Sequence, residues 1–270
     1  MSSAAYSAGR LSAHRTANTT WRSGPNGALA VAGLCALALA LVWLVAELVP
    51  AAHIRDAAAL HDFTLLSRPR IDAVGEFLLH LLDPVLFVIW GVGLVLLAIA
   101  RGQARIAVAV VAIMALAPWT SETLKPLVAH SHDVVGGVFI GPASWPSGHS
   151  TAALALVLSA VLVAPARLRP LVASIGALFA LAVGCWLLIL AWHMPSDVIG
   201  GYLVAGLWTA LAVAALRAAE RRWPTAQSAD GAAPASWAPG SHSGSAAPSL
   251  PLSALAARLR MNSRSDSRFR

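Results

Sequence analysis

The sequence predicts an all-α fold, a polytopic membrane helical bundle with about six transmembrane helices. Of its 270 residues, 58% are hydrophobic and only 11% are charged, whereas soluble domains usually carry about 25% charged residues. Several apolar stretches also approach the roughly 20 residues that a helix needs to cross a bilayer. Six spans are predicted, near residues 28–49, 84–100, 106–121, 148–165, 171–191 and 198–216.

The distribution of basic residues predicts the orientation of these spans. If the N-terminus lies in the cytoplasm, fifteen of the nineteen Lys and Arg residues fall in cytoplasmic segments, in agreement with the positive-inside rule. The remaining four are Arg55, Arg68, Arg70 and Lys125. We therefore expect a cell-membrane protein with both termini in the cytoplasm. The net charge of +7 does not indicate nucleic-acid binding, because the basic residues follow the topology instead of clustering on a soluble surface.

The polar segments outside the spans divide the chain into three parts. Residues 1–26 and 224–270 are rich in small and polar residues with scattered arginines, so both are predicted to be disordered and cytoplasmic. Between them, residues 27–223 form the predicted membrane domain. Within it, residues 53–83 mix apolar residues with charges, which is typical of an amphipathic helix at the membrane surface. This segment either caps the bundle or helps to admit lipid.

Three polar segments interrupt the apolar pattern, at residues 125–133, 146–149 and 193–197, and the predicted topology places all three on the outer face. The middle segment, Pro-Ser-Gly-His, is typical of a helix start: proline suits a first turn, and small residues leave backbone N–H groups uncovered. Such a helix N-terminus attracts phosphate. His149 is close enough to act as an acid or base on a bound anion, although a plain helix cap is the alternative.

The third segment pairs a histidine with a carboxylate. His193 and Asp197 are four residues apart across Pro195, so the carboxylate can hold one ring nitrogen and leave the other free to attack or to take a proton. In the first segment, Lys125 is the only lysine of the chain. Lysine is a compact charge that binds phosphate well, although a basic side chain reaching to the membrane interface is the alternative.

Together these segments resemble the type 2 phosphatidic acid phosphatase family, the membrane branch of a superfamily that includes the vanadium haloperoxidases. The family pattern is Lys-x6-Arg-Pro, then Pro-Ser-Gly-His, then Ser-Arg-x5-His-x3-Asp. The resemblance covers roughly residues 80–216. It rests on an intact Pro-Ser-Gly-His at 146–149 and on His-Met-Pro-Ser-Asp at 193–197.

The sequence departs from this pattern at both phosphate-binding arginines. His132 and Asp133 stand where the family has Arg-Pro, and Trp186 and Leu187 stand where it has Ser-Arg. Each hydrogen bond to a charged group contributes about 1.5–3 kcal/mol. A divergent member of the family without these arginines could therefore have lower activity.

The resemblance implies a membrane lipid-phosphate phosphatase that uses no metal or other cofactor. His193 would attack phosphorus to form a phosphohistidine, Asp197 would orient it, and His149 would protonate the leaving oxygen. The expected substrate is a phosphate monoester or diphosphate of a phosphatidate-like or polyprenyl lipid. Its phosphate oxygens would be bound by a set of polar groups on the same face: Lys125, Ser147, Gly148, His130 and His132.

Two other functions remain open at this stage. The first is an inactive or weak relative that binds a lipid headgroup or a protein partner. The second is a zinc site, because histidine and carboxylate suit zinc and several such residues share the outer face: His130, His132, Asp133, His149 and His193. The sequence does not indicate which lipid is the substrate, nor an oligomeric state.

Overall fold

The computed structural model describes residues 24–129 and 140–223. Within these ranges the chain forms eight α-helices and no strand, which confirms the all-α fold. Apart from residues 24–26, the terminal segments predicted to be disordered lie outside the described residues. The helices are α1 (Pro25–Leu48), α2 (Pro50–Thr64), α3 (Pro69–His80), α4 (Pro84–Ala100), α5 (Ala104–Leu127), α6 (Gly148–Val163), α7 (Arg169–Ile189) and α8 (Pro195–Arg222).

Each of the six predicted spans coincides with one helix. In the described part of the chain, α1, α5, α7 and α8 are each long and apolar enough to cross a membrane. Helices α3 and α4 reach that length together, bent by 54° to each other, and α6 is shorter, with 16 residues. Large apolar side chains on the outside, such as Val85, Leu178 and Leu34, are 73%, 68% and 65% exposed. The protein is therefore a multi-pass membrane protein, and six is an approximate number of spans.

The segment 53–83 forms two helices, α2 and α3, where the sequence predicted one. The break falls just before Pro69, whose ring fixes φ at a helical value but removes its backbone donor, so proline favours a helix start. Asp72 stabilises this new start, because its carboxylate accepts hydrogen bonds from Ser67 Oγ at 2.7 Å and from the Arg68 backbone N–H at 3.0 Å. Residues 65–68 thus form a boundary between two helices within this segment.

Helix α8 lies at the centre of the bundle and packs against α1, α5 and α6. Glycines permit the closest of these contacts. A Cβ atom on Gly201 would lie 2.0 Å from Ser150 Oγ and 2.5 Å from the Ser147 carbonyl oxygen. Only a residue without a side chain lets the start of α8 pack this closely on the start of α6.

One ion pair and one hydrogen bond between distant residues mark the two ends of the bundle. At one end, Arg105 near the start of α5 pairs with Glu220 near the end of α8 at 2.8 Å. At the other end, Ser121 in the last part of α5 donates to the Pro146 carbonyl, just before α6, at 2.9 Å. Helices α5 and α8 therefore run in opposite directions, and the three polar segments predicted to carry the chemistry adjoin the second end.

Candidate active site

The turn before α6 is held from two sides. The Ser147 side chain caps the helix by accepting from the Ser150 backbone N–H at 3.4 Å. Its own backbone N–H donates to the Asp197 carbonyl oxygen at 3.0 Å, while Ser121 binds the preceding carbonyl. Helices α5 and α8 thus fix the position of the Pro-Ser-Gly-His turn, and both Ser147 and Asp197 are fully buried.

The His193 imidazole lies against the Asp197 carboxylate. Nδ1 of His193 is 3.3 Å from Oδ2 of Asp197. With Nδ1 protonated, the ring donates to the carboxylate and keeps the lone pair of Nε2. The same Oδ2 atom accepts from the Met194 backbone N–H at 2.9 Å. The His193 side chain is 12% exposed, so the ring is largely enclosed but still reachable.

His149, in the first turn of α6, lies beside this pair. Its ring packs edge-on against Trp192, with ring centroids 5.6 Å apart and an interplanar angle of 72°. It is within range of electrostatic interaction with His193, Lys125 and two carboxylates, those of Asp83 and Glu122. A proton donor or acceptor therefore stands next to the candidate nucleophile.

Lys125 reaches the same place from the end of α5. A Cβ atom on Gly148 would lie 3.6 Å from Lys125 Nζ and 2.8 Å from Glu122 Oε1. The ammonium group therefore lies beside the first residue of α6, whose backbone N–H is directed out of the helix start. Lys125 also forms an ion pair with Glu122, with Nζ 2.6 Å from Oε1.

Comparison with known proteins shows a family similarity over the residues that contain this site. Residues 106–222 match the family model described as the PAP2 superfamily. These residues form a PAP2 superfamily domain. The PAP2 domain begins within α5 and ends with α8, so it contains Lys125, the Pro-Ser-Gly-His turn, His193 and Asp197.

The fold of the chain is also similar to a solved structure. That structure is a transmembrane PAP2-type phosphatidylglycerolphosphate phosphatase from Bacillus subtilis, with a TM-score of 0.55 and 21% sequence identity. The similarity covers 71% of this chain and 98% of the other. No curated protein sequence matches this chain.

The structure brings most of the predicted site residues together at one end of the helical bundle. They are Lys125, Ser147, Gly148, His149, His193 and Asp197. The hydroxyl of Ser147 already accepts a hydrogen bond as the cap of α6. His130 and His132 lie outside the described residues, so their predicted contribution to phosphate binding stays a prediction.

The zinc alternative gains no support from the described residues. Neither residues 24–129 nor 140–223 contain a group of three or more His, Cys, Asp or Glu side chains arranged to hold a metal ion. His130, His132 and Asp133, which that alternative needs, lie outside both ranges.

At the position of the missing second arginine, Leu187 is fully buried in an apolar cluster that includes Leu188, Met194 and Val198. Its neighbour Trp186 lies against α3, because a Cβ atom on Gly75 would come within 2.4 Å of the indole ring. The chain thus fills the space around this position with apolar packing.

Two acidic residues at the site were not predicted from the sequence. Glu122 pairs with Lys125, and its i to i+3 spacing on a helix was the available signal. Asp56, on α2, accepts hydrogen bonds from both the backbone N–H and the hydroxyl of Ser196. Nothing local marks Asp56, since its partner is 140 residues away in the chain.

Proposed function

We propose that this protein is a membrane phosphatase that hydrolyses a phosphate monoester or diphosphate of a lipid through a phosphohistidine intermediate. The observation that carries the proposal is the His193–Asp197 pair beside the start of α6. Three groups adjoin this helix start: the His193 ring held by a buried carboxylate, a second histidine, and a lysine beside Gly148. The PAP2 domain and the similarity in fold to a phosphatidylglycerolphosphate phosphatase support the same class of reaction.

In the first step, Nε2 of His193 attacks phosphorus and the bond from phosphorus to the lipid oxygen breaks. His149 gives its proton to that oxygen, so a monoester releases the lipid alcohol, whereas a diphosphate attacked at its terminal phosphorus releases the lipid monophosphate. Asp197 stabilises the positive charge that develops on the His193 ring. In the second step, His149 takes a proton from water, the water oxygen bonds to phosphorus, and the nitrogen–phosphorus bond breaks to release inorganic phosphate.

Lys125 and the backbone N–H of Gly148 would bind the phosphate oxygens during both steps. Phosphoryl transfer depends mainly on positioning and on stabilising charge over the equatorial oxygens. A lysine and a helix N-terminus supply both without the guanidinium groups of the family pattern. With the N-terminus in the cytoplasm, the site lies on the extracytoplasmic face of the cell membrane and takes its substrate from the outer leaflet.

The test is phosphate release by purified protein in detergent from phosphatidylglycerolphosphate, phosphatidate and a polyprenyl diphosphate, with and without chelator. We expect release from at least one of these lipids, undiminished by chelator. We expect His193→Ala to lower the rate by about a thousandfold or more, because it removes the nucleophile. His80→Ala, which removes an exposed histidine at the end of α3, is the matched control and should leave the rate unchanged.

The same assay distinguishes this function from the alternative, an inactive relative that only binds a headgroup or a partner. If wild type and His193→Ala release phosphate equally slowly from every lipid, the phosphatase proposal is wrong. A second measurement uses a lipid radiolabelled at its phosphate, with the protein denatured in detergent at alkaline pH, where the nitrogen–phosphorus bond of a phosphohistidine is stable. Label bound to His193 supports the covalent intermediate, whereas release without any labelled protein argues for direct attack by water.

A further inference from the structure

The first turn of α8 carries Asp197, and one of its backbone donors is bound by a different helix. A helix leaves its first backbone N–H groups without partners inside the helix. At the start of α8, Met194 and Asp197 form a capping box, which does not reach the backbone N–H of Ser196. Instead, Oδ1 of Asp56 accepts from the Ser196 backbone N–H at 3.2 Å, and Oδ2 accepts from the Ser196 hydroxyl at 2.6 Å. Asp56 thus caps α8 from outside.

Asp56 belongs to α2, which lies outside residues 106–222 that match the PAP2 family model. Its carboxylate is only partly exposed, and it faces the end of α8 where the helix dipole favours a negative charge. A contact between α2 and α8 therefore reaches the residue directly before Asp197. The surface segment 53–83 is in this way connected to the candidate active site.

The orientation of Asp197 depends on this turn keeping its shape. Its Oδ2 atom accepts a hydrogen bond from the Met194 backbone N–H and contacts Nδ1 of the His193 ring. Its Oδ1 atom is buried and has no hydrogen-bond partner among the described residues. Only the Oδ2 contacts fix the carboxylate, and both involve residues at the start of α8. If this turn loosened, the carboxylate and the ring that it holds would both change position.

We propose that Asp56 is a positioning residue, which holds the first turn of α8 through Ser196 and thereby keeps Asp197 and His193 in place for attack on phosphorus. The proposal rests on the proposed phosphatase function. Asp56 does not touch the reacting atoms. Its effect should therefore appear in the turnover step rather than in substrate binding.

The kinetic test compares Asp56→Ala with Asp56→Asn and with Asp62→Ala, which removes an exposed carboxylate on the same helix. Small displacements of catalytic groups lower rates by about 10- to 100-fold. We expect a decrease of that size in kcat for Asp56→Ala, with KM changed less than about twofold. Asp56→Asn should be intermediate, because the amide keeps one oxygen acceptor for Ser196. Asp62→Ala should match wild type.

The reciprocal variant tests whether Ser196 transmits the effect. Ser196→Ala removes the hydroxyl donor and leaves the backbone N–H. If the two residues act through one contact, Asp56→Ala combined with Ser196→Ala should lower kcat no further than Asp56→Ala alone. Multiplied losses in the double variant would mean that Asp56 acts by another route, and would overturn the proposal.

Two measurements test the positioning role of Asp56 independently of the proposed phosphatase function, because neither requires the protein to be an active enzyme. Amide hydrogen exchange should be several-fold faster at residues 196–198 in Asp56→Ala than in Asp62→Ala. The rate at which diethylpyrocarbonate modifies His193, followed by mass spectrometry, should also change in Asp56→Ala alone. Unchanged exchange and unchanged modification would overturn the positioning role, even if the wild type proves inactive. Changed exchange with wild-type kcat would overturn it as well.

Discussion

At the scale of single residues, the ion pair between Lys125 and Glu122 bears most directly on phosphate binding. The only lysine of the chain already has a carboxylate 2.6 Å away. That carboxylate lies beside Gly148, where a phosphate would meet the start of α6. A bound phosphate therefore competes with Glu122 for the same ammonium group, and like charges oppose its approach.

Glu122→Gln should strengthen phosphate binding, since it removes this competitor while keeping the shape of the side chain. Glu122 is 60% exposed, and exposed ion pairs contribute about 0.2–1 kcal/mol. We expect the inhibition constant for inorganic phosphate, and the KM for the lipid, to fall about two- to fivefold. The control is Glu76→Gln, which removes the same charge from an exposed site on α3. Weaker inhibition by phosphate in Glu122→Gln would mean that Glu122 helps to place Lys125.

At the scale of helices, the close approach of α8 to α6 decides whether the motifs meet. Gly201→Ala would place a Cβ atom against Ser150 and against the backbone carbonyl of Ser147. Because that carbonyl cannot move freely, α8 must shift and the bond from Ser147 N–H to Asp197 must lengthen. We expect about a 100-fold loss of kcat and about 1–3 kcal/mol of lost stability.

The control for this variant is Gly93→Ala. Gly93 is also a helical glycine, in α4, and no atom lies within 4 Å of its added Cβ. It should keep wild-type activity and stability, measured as phosphate release and thermal unfolding in the same detergent. If both variants behave alike, close packing between α6 and α8 does not set the site geometry.

The contact between α2 and α8 should also depend on pH. Burial raises the pKa of Asp56 above its ordinary value of 3.8, and repulsion by Asp197 adds to this, while hydrogen bonds from Ser196 and the charge of His53 act in the opposite direction. A carboxyl group with a raised pKa binds its proton more tightly in the folded protein. Its contribution to stability is therefore fully present below 3.8 and is lost as pH rises through the folded-state pKa.

Thermal unfolding of wild type and Asp56→Asn across this range measures the effect. The asparagine cannot titrate, so the stability of wild type relative to this variant should fall as pH increases from about 4 to neutrality. Curves that stay parallel over the whole range would show that Asp56 keeps an ordinary pKa.

At the scale of the whole molecule, the site and the arginines near the α4–α5 and α6–α7 connections lie at opposite ends of the bundle. Arg105 pairs with Glu220 at the end away from the site. Arg167 lies at the same end, because α6 starts at the site and Arg167 follows the end of α6. The positive-inside rule predicts that this end lies in the cytoplasm.

Cysteine labelling tests this orientation. In a background with Cys35→Ala and Cys185→Ala, a membrane-impermeant maleimide applied to intact cells should modify Ala143→Cys and leave Arg167→Cys unmodified. Both positions are exposed, so permeabilised cells, in which both should react, provide the control. Modification of position 167 alone in intact cells would reverse the topology and place the chemistry inside.

The sequence by itself determined the helical class, the positions of the spans and the segments that carry the candidate chemistry. Each of these depends on local signals. Apolar runs of membrane length predict spans, Pro146 before small residues predicts the start of α6, and a histidine four residues before an aspartate predicts a pair in contact. The structure agrees with these local features, down to the 3.3 Å separation of His193 and Asp197.

Only the tertiary structure decided which distant groups meet at those segments. Asp56 lies 140 residues before Ser196, and the Cβ clash at Gly201 involves atoms of another helix. Leu187, which aligns with an arginine in the family pattern, is fully buried among apolar side chains. No periodicity or spacing encodes such contacts, because they depend on how helices pack against one another, and that is fixed by the summed fit of many side chains along the whole bundle.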